Sequence, residues 1–75
     1  MLHVLVESTT LASVGHDADA GVLELAFRSG AVYQYLSVPR GVFQRLLGAS
    51  SKGGFFNQNI RGRFPYKLIQ VAPRP

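Results

Sequence analysis

A turn between two extended runs limits what this chain of 75 residues can fold into more than any other stretch. Residues 22 to 28 read Val-Leu-Glu-Leu-Ala-Phe-Arg, and their alternation places three large apolar side chains on one side, which predicts a half-buried strand. Residues 32 to 38 are β-branched or aromatic at most positions and predict a second strand, which contains Tyr33 and Tyr35. Because only a few residues separate the runs, the strands are expected to form a hairpin and not a crossover.

The length of the turn decides which way the two tyrosines point. A two-residue loop would place Tyr33 and Tyr35 on the outer face of the sheet, as an exposed stacking platform. A three-residue loop that ends at Gly30 would pair Leu25 with Tyr33 and Leu23 with Tyr35, so that both rings join the core. The common three-residue loop ends in a left-handed residue, where glycine costs least. The turn chemistry therefore favours inward tyrosines.

The segments on either side of the hairpin predict further strands. An apolar run at residues 2 to 6 fits an edge strand or an arm, and residues 11 to 16 fit the first strand of a meander. Residues 17 to 21 are rich in Asp and Gly, which favours a turn. Residues 68 to 71 fit a closing strand. We expect an α+β fold in which an antiparallel β-meander of three to four strands carries one main helix and a second short helix.

The main helix is expected directly after the hairpin. Pro39 fits its first turn, and Ser37 can cap it. Apolar residues recur at spacings of three and four between positions 42 and 47, so that one stripe of the helix can lie on the sheet. Arg40 and Arg45 fall on the outer side of this helix.

A Ser-Ser-Lys-Gly-Gly run at residues 50 to 54 allows two interpretations. Ser51 can cap a short helix over about residues 54 to 61, whose first amides would face an anion beside Lys52. Alternatively, the run is a flexible connector. A nucleotide-binding phosphate loop is excluded because the glycines follow the lysine. Of the two phenylalanines that come next, one is expected to join Ile60 in the core and the other to lie near the surface.

Charge is distributed unevenly along the chain. All four acidic residues precede position 25, all eight lysines and arginines follow it, and the net charge is +4. This asymmetry suggests a polyanionic partner, or association between unlike halves of two copies, although a surplus of exposed cations is also common on small domains. The lack of cysteine fits the cytoplasm. No apolar run is long enough to cross a membrane, and residues 1 to 75 fit a single domain with a frayed tail at 72 to 75.

The reactive side chains predict no enzyme. His3 and His16 are the only imidazoles, and neither stands beside a motif for a nucleophile or a metal. Asp17 and Asp19 are two of the four acids, but they fall in one exposed turn without a pocket. We therefore expect no catalytic residue, no metal and no cofactor.

The chain contains the pattern Phe27-x-x-Gly30-x-x-Tyr33-x-Tyr35 and, further along, the run Ser51-x-Gly53-x-Phe55-Phe56-Asn57. Together with shorter matches such as Val6-Glu7-Ser8, these motifs resemble the KTSC domain, and the resemblance covers about residues 6 to 66. The domain is named for its occurrence at the C-terminus of some lysyl-tRNA synthetases, and it also occurs as a short stand-alone protein. One departure is His16, which stands where the family commonly has a tyrosine. The matching motif residues, which we expect to be structural, are Phe27, Gly30, Tyr33, Tyr35, Pro39, Ser51, Gly53, Phe56, Asn57 and Ile60.

The resemblance implies RNA binding, which the charge asymmetry supports independently. We predict a small basic, non-catalytic module that binds RNA, tRNA-like RNA included, or another polyanion. About 3 to 5 phosphate contacts would give a log-log salt dependence of about −2 to −3.5 on single strands. The alternative is a protein-interaction or homo-oligomerisation module that uses open sheet edges. The candidate RNA contacts are Lys52, Arg61, Arg63 and Lys67 for phosphates, Tyr66 or an exposed Phe56 for stacking, and Arg40 and Arg45 as an extension.

Overall fold

The polar and apolar pattern of the chain produces one sheet with helices on one face. The computed structural model describes residues 1 to 73, and within them five antiparallel strands follow one another in chain order. This confirms the α+β class, with both the N-terminal run and the C-terminal run added to the meander as edge strands. The elements are β1 (His3–Leu5), β2 (Leu11–Asp17), β3 (Val22–Phe27), β4 (Val32–Tyr35), α1 (Arg40–Gly48), α2 (Lys52–Asn59) and β5 (Tyr66–Gln70).

The hairpin between β3 and β4 has the three-residue loop that its turn chemistry favours. Phe27 N–H donates to the Ala31 carbonyl at 2.8 Å, and Gly30 adopts a φ of +99°. Leu25 then pairs with Tyr33, and Leu23 pairs with Tyr35. The prediction that both tyrosines point inward is confirmed, because these partners share the face of the sheet that carries the core.

The start of α1 differs from the prediction. Pro39, not Ser37, occupies the cap position, and no side chain caps this helix. Ser37 stands two residues too early, since a capping hydroxyl must belong to the residue directly before the first helical turn. It adopts a φ of +60° instead, in the turn that leads from β4 to the helix. The apolar stripe of α1 is confirmed, with Leu46 fully buried at its centre.

The cap predicted for α2 is confirmed, but the helix begins earlier than expected. Ser51 Oγ accepts a hydrogen bond from Gly54 N–H at 3.2 Å, and the helix starts at Lys52 instead of near residue 54. Because a capping hydroxyl bonds to the second or third helical amide, the cap fixes the first helical residue despite the two glycines that follow. Gly53 lies against the segment before β2.

Replacing Gly53 by Val should lower the free energy of unfolding by about 1 to 3 kcal/mol. A Cβ at this position would lie 2.6 Å from Thr10 Oγ1 and 3.1 Å from Thr10 Cβ, so that α2 or residues 8 to 10 must move. Urea denaturation followed by circular dichroism measures the loss. Gly41→Ala is the matched control: it lies in α1 with open space around it, and it should gain up to about 1 kcal/mol. Equal stability of the Gly53 variant and the unmodified chain would contradict this packing.

The core lies between the helices and one face of the sheet. The fully buried side chains at its centre include Leu11, Leu23, Leu25 and Leu46, and Ile60 closes it below the end of α2. His16 shares this face, where its ring stacks on Phe43 and its Nε2 bonds to the Val38 carbonyl oxygen at 2.8 Å. Within residues 1 to 73, α1 and α2 are both too short to reach across a bilayer. Ala72 and Pro73 carry no regular structure, and the rest of the predicted tail lies outside the described residues.

The opposite face of the sheet carries a chain of hydrogen-bonded side chains from four strands. His3 Nδ1 bonds to Ser13 Oγ at 2.7 Å, and His3 Nε2 bonds to a Glu24 carboxylate oxygen at 2.5 Å. Gln34 donates to the other Glu24 oxygen at 2.8 Å. The bond from Gln34 holds the pKa of Glu24 below its ordinary value, partial burial opposes this, and His3 adds to the lowering. The chain of bonds therefore favours an ionised Glu24 in the folded protein.

The Glu24 carboxylate should make stability depend on pH in the acid range. A lowered folded pKa means that Glu24 contributes stability above its unfolded pKa of about 4.3, and that this contribution is lost as the pH falls through the folded value. We expect the stability difference between the unmodified chain and Glu24→Gln to shrink between about pH 6 and pH 3. Thermal unfolding across this range measures it, with Glu7→Gln, an exposed acid outside the chain of bonds, as the control. Parallel curves for the unmodified chain and Glu24→Gln would contradict the assignment.

Candidate functional site

The three tyrosines of the chain meet in one pocket on the helix-bearing face of the sheet. The ring centroid of Tyr66 lies 5.7 Å from those of both Tyr33 and Tyr35, which lie 6.4 Å from each other. Phe27 and Phe56 close one side, with their rings edge-on to the tyrosines at 5.7 to 5.8 Å. The pocket has a volume of about 310 Å³, and the residues around it are Phe27, Tyr33, Tyr35, Phe56, Arg61, Gly62 and Tyr66.

The pocket results from the period of the strands and from the limited cover that the helices provide. Tyr33 and Tyr35 alternate inward on β4, and Tyr66 pairs with Tyr35 across to β5. α1 packs on β2 and on α2, so the face of β4 and β5 lies beyond the main helix layer. Tyr33 and Tyr35 therefore pack against the core and at the same time form part of the pocket wall.

Exposure rises from the floor of the pocket to its rim. Tyr35 is 5 % exposed and forms the floor, whereas Tyr66 is 62 % exposed and forms the rim. Tyr33 lies between them and is half-buried. A ligand that enters past Tyr66 therefore meets ring faces and hydroxyl groups at several depths.

Among the described residues, Arg61 is the one charged residue that lines the pocket. The helix end positions it: Arg61 N–H donates to the Phe56 carbonyl at 2.9 Å, and Gly62 adopts a φ of +75° that turns the chain towards β5. The negative end of the α2 dipole favours a cation at this place.

Burial favours the neutral form of the deepest tyrosine. Burial raises the pKa of Tyr35, the neighbouring Tyr33 and Tyr66 hydroxyls raise it further, and Arg61 opposes them. At neutral pH the Tyr35 hydroxyl is thus protonated and can both donate and accept a hydrogen bond. The pocket offers a ligand aromatic faces, hydroxyl groups and a guanidinium.

The predicted RNA contacts do not form a single surface. Arg61 and Tyr66 meet at the pocket, and Arg63 is exposed in the same turn. Lys67 pairs with Gln34 and so points to the opposite face from Tyr66. Lys52 begins α2, about 13 Å along the helix axis from Arg61.

The remaining candidates lie away from the pocket or inside the core. Arg40 is exposed at the start of α1, and the Arg45 guanidinium lies 5.5 Å from the centre of the Phe55 ring. Of the two adjacent phenylalanines, Phe56 is the buried one, because its ring is 6 % exposed and packs between Phe27 and Tyr35. The alternative of an exposed Phe56 that stacks on bases is therefore wrong. The spacing of four between Phe56 and Ile60 on one helix could have identified the buried phenylalanine.

The motif residues expected to be structural occupy different kinds of position in the fold. Gly30 makes the hairpin turn, Pro39 and Ser51 stand at the helix starts, Gly53 allows a close approach, and Ile60 is core. The aromatic motif residues pack on the core and also line the pocket; they are Phe27, Tyr33, Tyr35 and Phe56. Asn57 is exposed and faces a second, polar pocket of about 370 Å³ between residues 7 to 10 and the start of α2.

Lys52 lines this polar pocket, but its charge is directed to a helix end. Its Nζ donates to the Ala49 carbonyl at 3.0 Å, at the C-terminus of α1. The interaction stabilises the junction between the two helices.

The sequence interpretation missed the side-chain contacts of His3. Its ring lies between the Ser13 hydroxyl and the Glu24 carboxylate. The same hydroxyl–imidazole–carboxylate arrangement activates the nucleophile in many enzymes. Ser13 lies within β2, however, where the backbone N–H groups that could stabilise an oxyanion belong to the ladders with β1 and β3. The contacts therefore tie the short edge strand β1 to the sheet. In the described part of the chain, no three His, Asp or Glu side chains are grouped to hold a metal ion.

Comparison with known proteins finds relatives of similar sequence. It is 47% identical over 58 residues to an uncharacterized protein of Stutzerimonas stutzeri, covering 77% of this chain and 82% of that one. It is 34% identical over 63 residues to a lysine–tRNA ligase of Trichormus variabilis, covering 84% of this chain but 11% of the ligase. Because the match spans so small a part of the ligase, it carries no catalytic role.

A solved structure gives the same result in three dimensions. The crystal structure of a KTSC domain protein from Yersinia pestis superposes with a TM-score of 0.89 at 39% sequence identity. The superposition covers 92% of this chain and 97% of that protein. The family model of the KTSC domain matches residues 7 to 64, which include the hairpin, both helices and Arg61. The chain therefore belongs to the KTSC domain family.

Proposed function

We propose that this protein is a non-catalytic module that binds single-stranded nucleic acid, most of all RNA, through the aromatic pocket and Arg61. The observation that carries the proposal is the meeting of three tyrosine rings with one guanidinium at a pocket that opens to solvent. Aromatic rings stack on bases of any identity, and a nearby cation binds the phosphate backbone. The proposal thus rests on a narrower site than the basic patch predicted from the sequence.

The net charge supports the choice of an anionic ligand. With a net charge of +4 and a pI of about 10.1, the protein attracts polyanions at neutral pH. Within the pocket, a cationic ligand would be repelled by Arg61, and no acidic side chain of residues 1 to 73 lines the site to attract one. Nucleic acid combines the planar ring and the negative charge that this lining fits.

The relatives support RNA as the form of nucleic acid. Lysine–tRNA ligases of Trichormus variabilis and Nostoc punctiforme contain a segment that is 34% identical to this chain. Those enzymes, by name, act on tRNA. A segment that binds RNA would fit such an enzyme, since it could help to hold the tRNA. An RNA ligand would place this protein in the cytoplasm.

Salt dependence of binding tests the proposal. Fluorescence anisotropy with a labelled tRNA and a labelled single-stranded oligonucleotide would be measured at several salt concentrations. One phosphate contact at the pocket, from Arg61, predicts a log-log slope of about −0.7 on single strands, shallower than the value expected from the whole basic patch. No binding to either RNA at low salt would refute the proposed function.

A second candidate function rests on β5. All five of its residues are exposed, and Leu68 and Ile69 remain about half exposed at an edge with free backbone groups. Such an edge can pair with the same edge of a second copy. Light scattering at two protein concentrations decides this case: a stable dimer that survives Lys67→Glu but not Ile69→Pro would support homo-oligomerisation through β5.

A further inference from the structure

The shape of the aromatic pocket limits which part of a single-stranded nucleic acid can bind in it. Resting on the proposed function, we infer that the pocket receives one unpaired nucleotide, with its base against Tyr66 and Tyr33 and its phosphate on Arg61. The module would therefore select single strands, loops and ends over duplexes, with little preference among bases.

Volume limits the pocket to one nucleotide. At about 310 Å³ it stands at the small end of pockets that hold organic ligands, which run from about 300 to 1,000 Å³. Tyr35 and Phe56 close its floor and side, since both are nearly fully buried. A second base has no room beside the first, and the next nucleotide in the strand must lie outside the rim.

Depth makes an unpaired base necessary. Tyr66 is largely exposed and Tyr35 is buried, so a ring must pass the rim to contact the inner tyrosines. In a double helix each base is stacked on both faces and paired at its edge, and it reaches such a pocket only after it is unstacked. Single strands, loops and ends present bases without that cost.

Charge fixes the orientation of the nucleotide. Arg61 lies just beyond the end of α2, and within residues 1 to 73 it is the only charged residue in the lining. A guanidinium binds phosphate with two parallel hydrogen bonds, which an aromatic wall cannot supply. With the phosphate held there, the base of the same nucleotide points towards the tyrosines.

The lining offers little to distinguish one base from another. Discrimination between bases requires fixed donors and acceptors at the base edge, such as the amides of Asn or Gln. Here the polar groups nearest the rings are the tyrosine hydroxyls, which rotate between donor and acceptor roles. We expect less than about tenfold difference in affinity among oligomers of different composition.

The protein contains its own reporter for this inference. All three of its tyrosines line the pocket, and the chain has no tryptophan, so the intrinsic fluorescence comes from the site alone. Titration with a short single-stranded RNA should quench tyrosine emission in parallel with the anisotropy signal, whereas a duplex of the same length should bind at least about tenfold more weakly and leave emission unchanged.

Variants at the rim complete the experiment. Tyr66→Ala should weaken binding of the single strand about 5- to 100-fold, and Tyr66→Phe should retain most of it, because the stacking ring remains. Lys67→Ala is the matched control, since it neighbours Tyr66 in sequence but points to the opposite face. Circular dichroism confirms that each variant is folded.

The outcomes separate this inference from the proposed function. Equal binding of single strand and duplex without quenching, or no effect of Tyr66→Ala, would overturn the pocket inference while RNA binding itself stands. If adenosine monophosphate or uridine monophosphate bound as tightly as the oligomer, the ligand would be a free nucleotide. The inference that the pocket receives a nucleotide within a single strand would then be wrong. No binding of any RNA would refute both.

Discussion

Replacing Phe56 by Ala is expected to lower the free energy of unfolding by about 3 to 5 kcal/mol. The ring is 6 % exposed, and its centroid lies 5.3 Å from that of Phe27 and 5.7 Å from that of Tyr35. Its removal leaves a cavity where α2 meets the sheet. A domain of 75 residues has a total stability of about 4 to 11 kcal/mol, so a large fraction of the variant should unfold under mild denaturant.

The adjacent residue provides the control for this prediction. Phe55 is half-buried, and one of its contacts is the guanidinium of Arg45. Phe55→Ala should therefore cost less, about 1 kcal/mol. Urea denaturation of both variants, followed by circular dichroism, measures the difference. If the two variants lost equal stability, the orientation of α2 described above would be wrong.

Replacing Arg61 by Glu should weaken the binding of single-stranded RNA by about 30- to 300-fold. The change removes a charge-assisted hydrogen bond to phosphate, worth about 1.5 to 3 kcal/mol, and places a like charge beside it. Because Arg61 is exposed beyond the end of α2, the fold should be retained. Anisotropy at one fixed salt concentration gives the two dissociation constants.

Arg63→Glu makes the same change in net charge two residues further along. Arg63 is exposed but does not line the pocket, so its charge acts on the bound phosphate only through solvent. Screening at physiological salt acts over about 8 Å, and we expect less than about tenfold weakening. Equal effects of the two changes would mean that overall charge, and not contact at the pocket, governs binding.

Local chemistry explains why the hairpin could be predicted. The strand period, the loop length and the left-handed glycine involve only residues between about 22 and 35, and they agree with one another. The cap of α2 is equally local, since Ser51 and Gly54 are three residues apart. The predicted cap of α1 failed by two positions because Pro39 takes the place that a capping hydroxyl needs.

The candidate site was predicted only in part. Arg61 and Tyr66 were both expected to contact RNA, and the structure brings them together. Lys67 is excluded from the pocket by strand alternation, which the sequence could have shown had the last strand been placed from residue 66 instead of 68. Lys52 is separated from Arg61 by the length of α2, a distance that depends on where the helix begins.

Residue types and their spacing determined the strands, the helices, the inward register of Tyr33 and Tyr35, and the excess of positive charge. Only the tertiary structure decided that β5 lies beside β4, and thus that a third tyrosine and an arginine from the end of α2 meet the first two. The physical reason is range: turns, caps and alternation depend on neighbours in the chain, whereas a pocket depends on how far the packed helices extend over the sheet and which strands they leave uncovered.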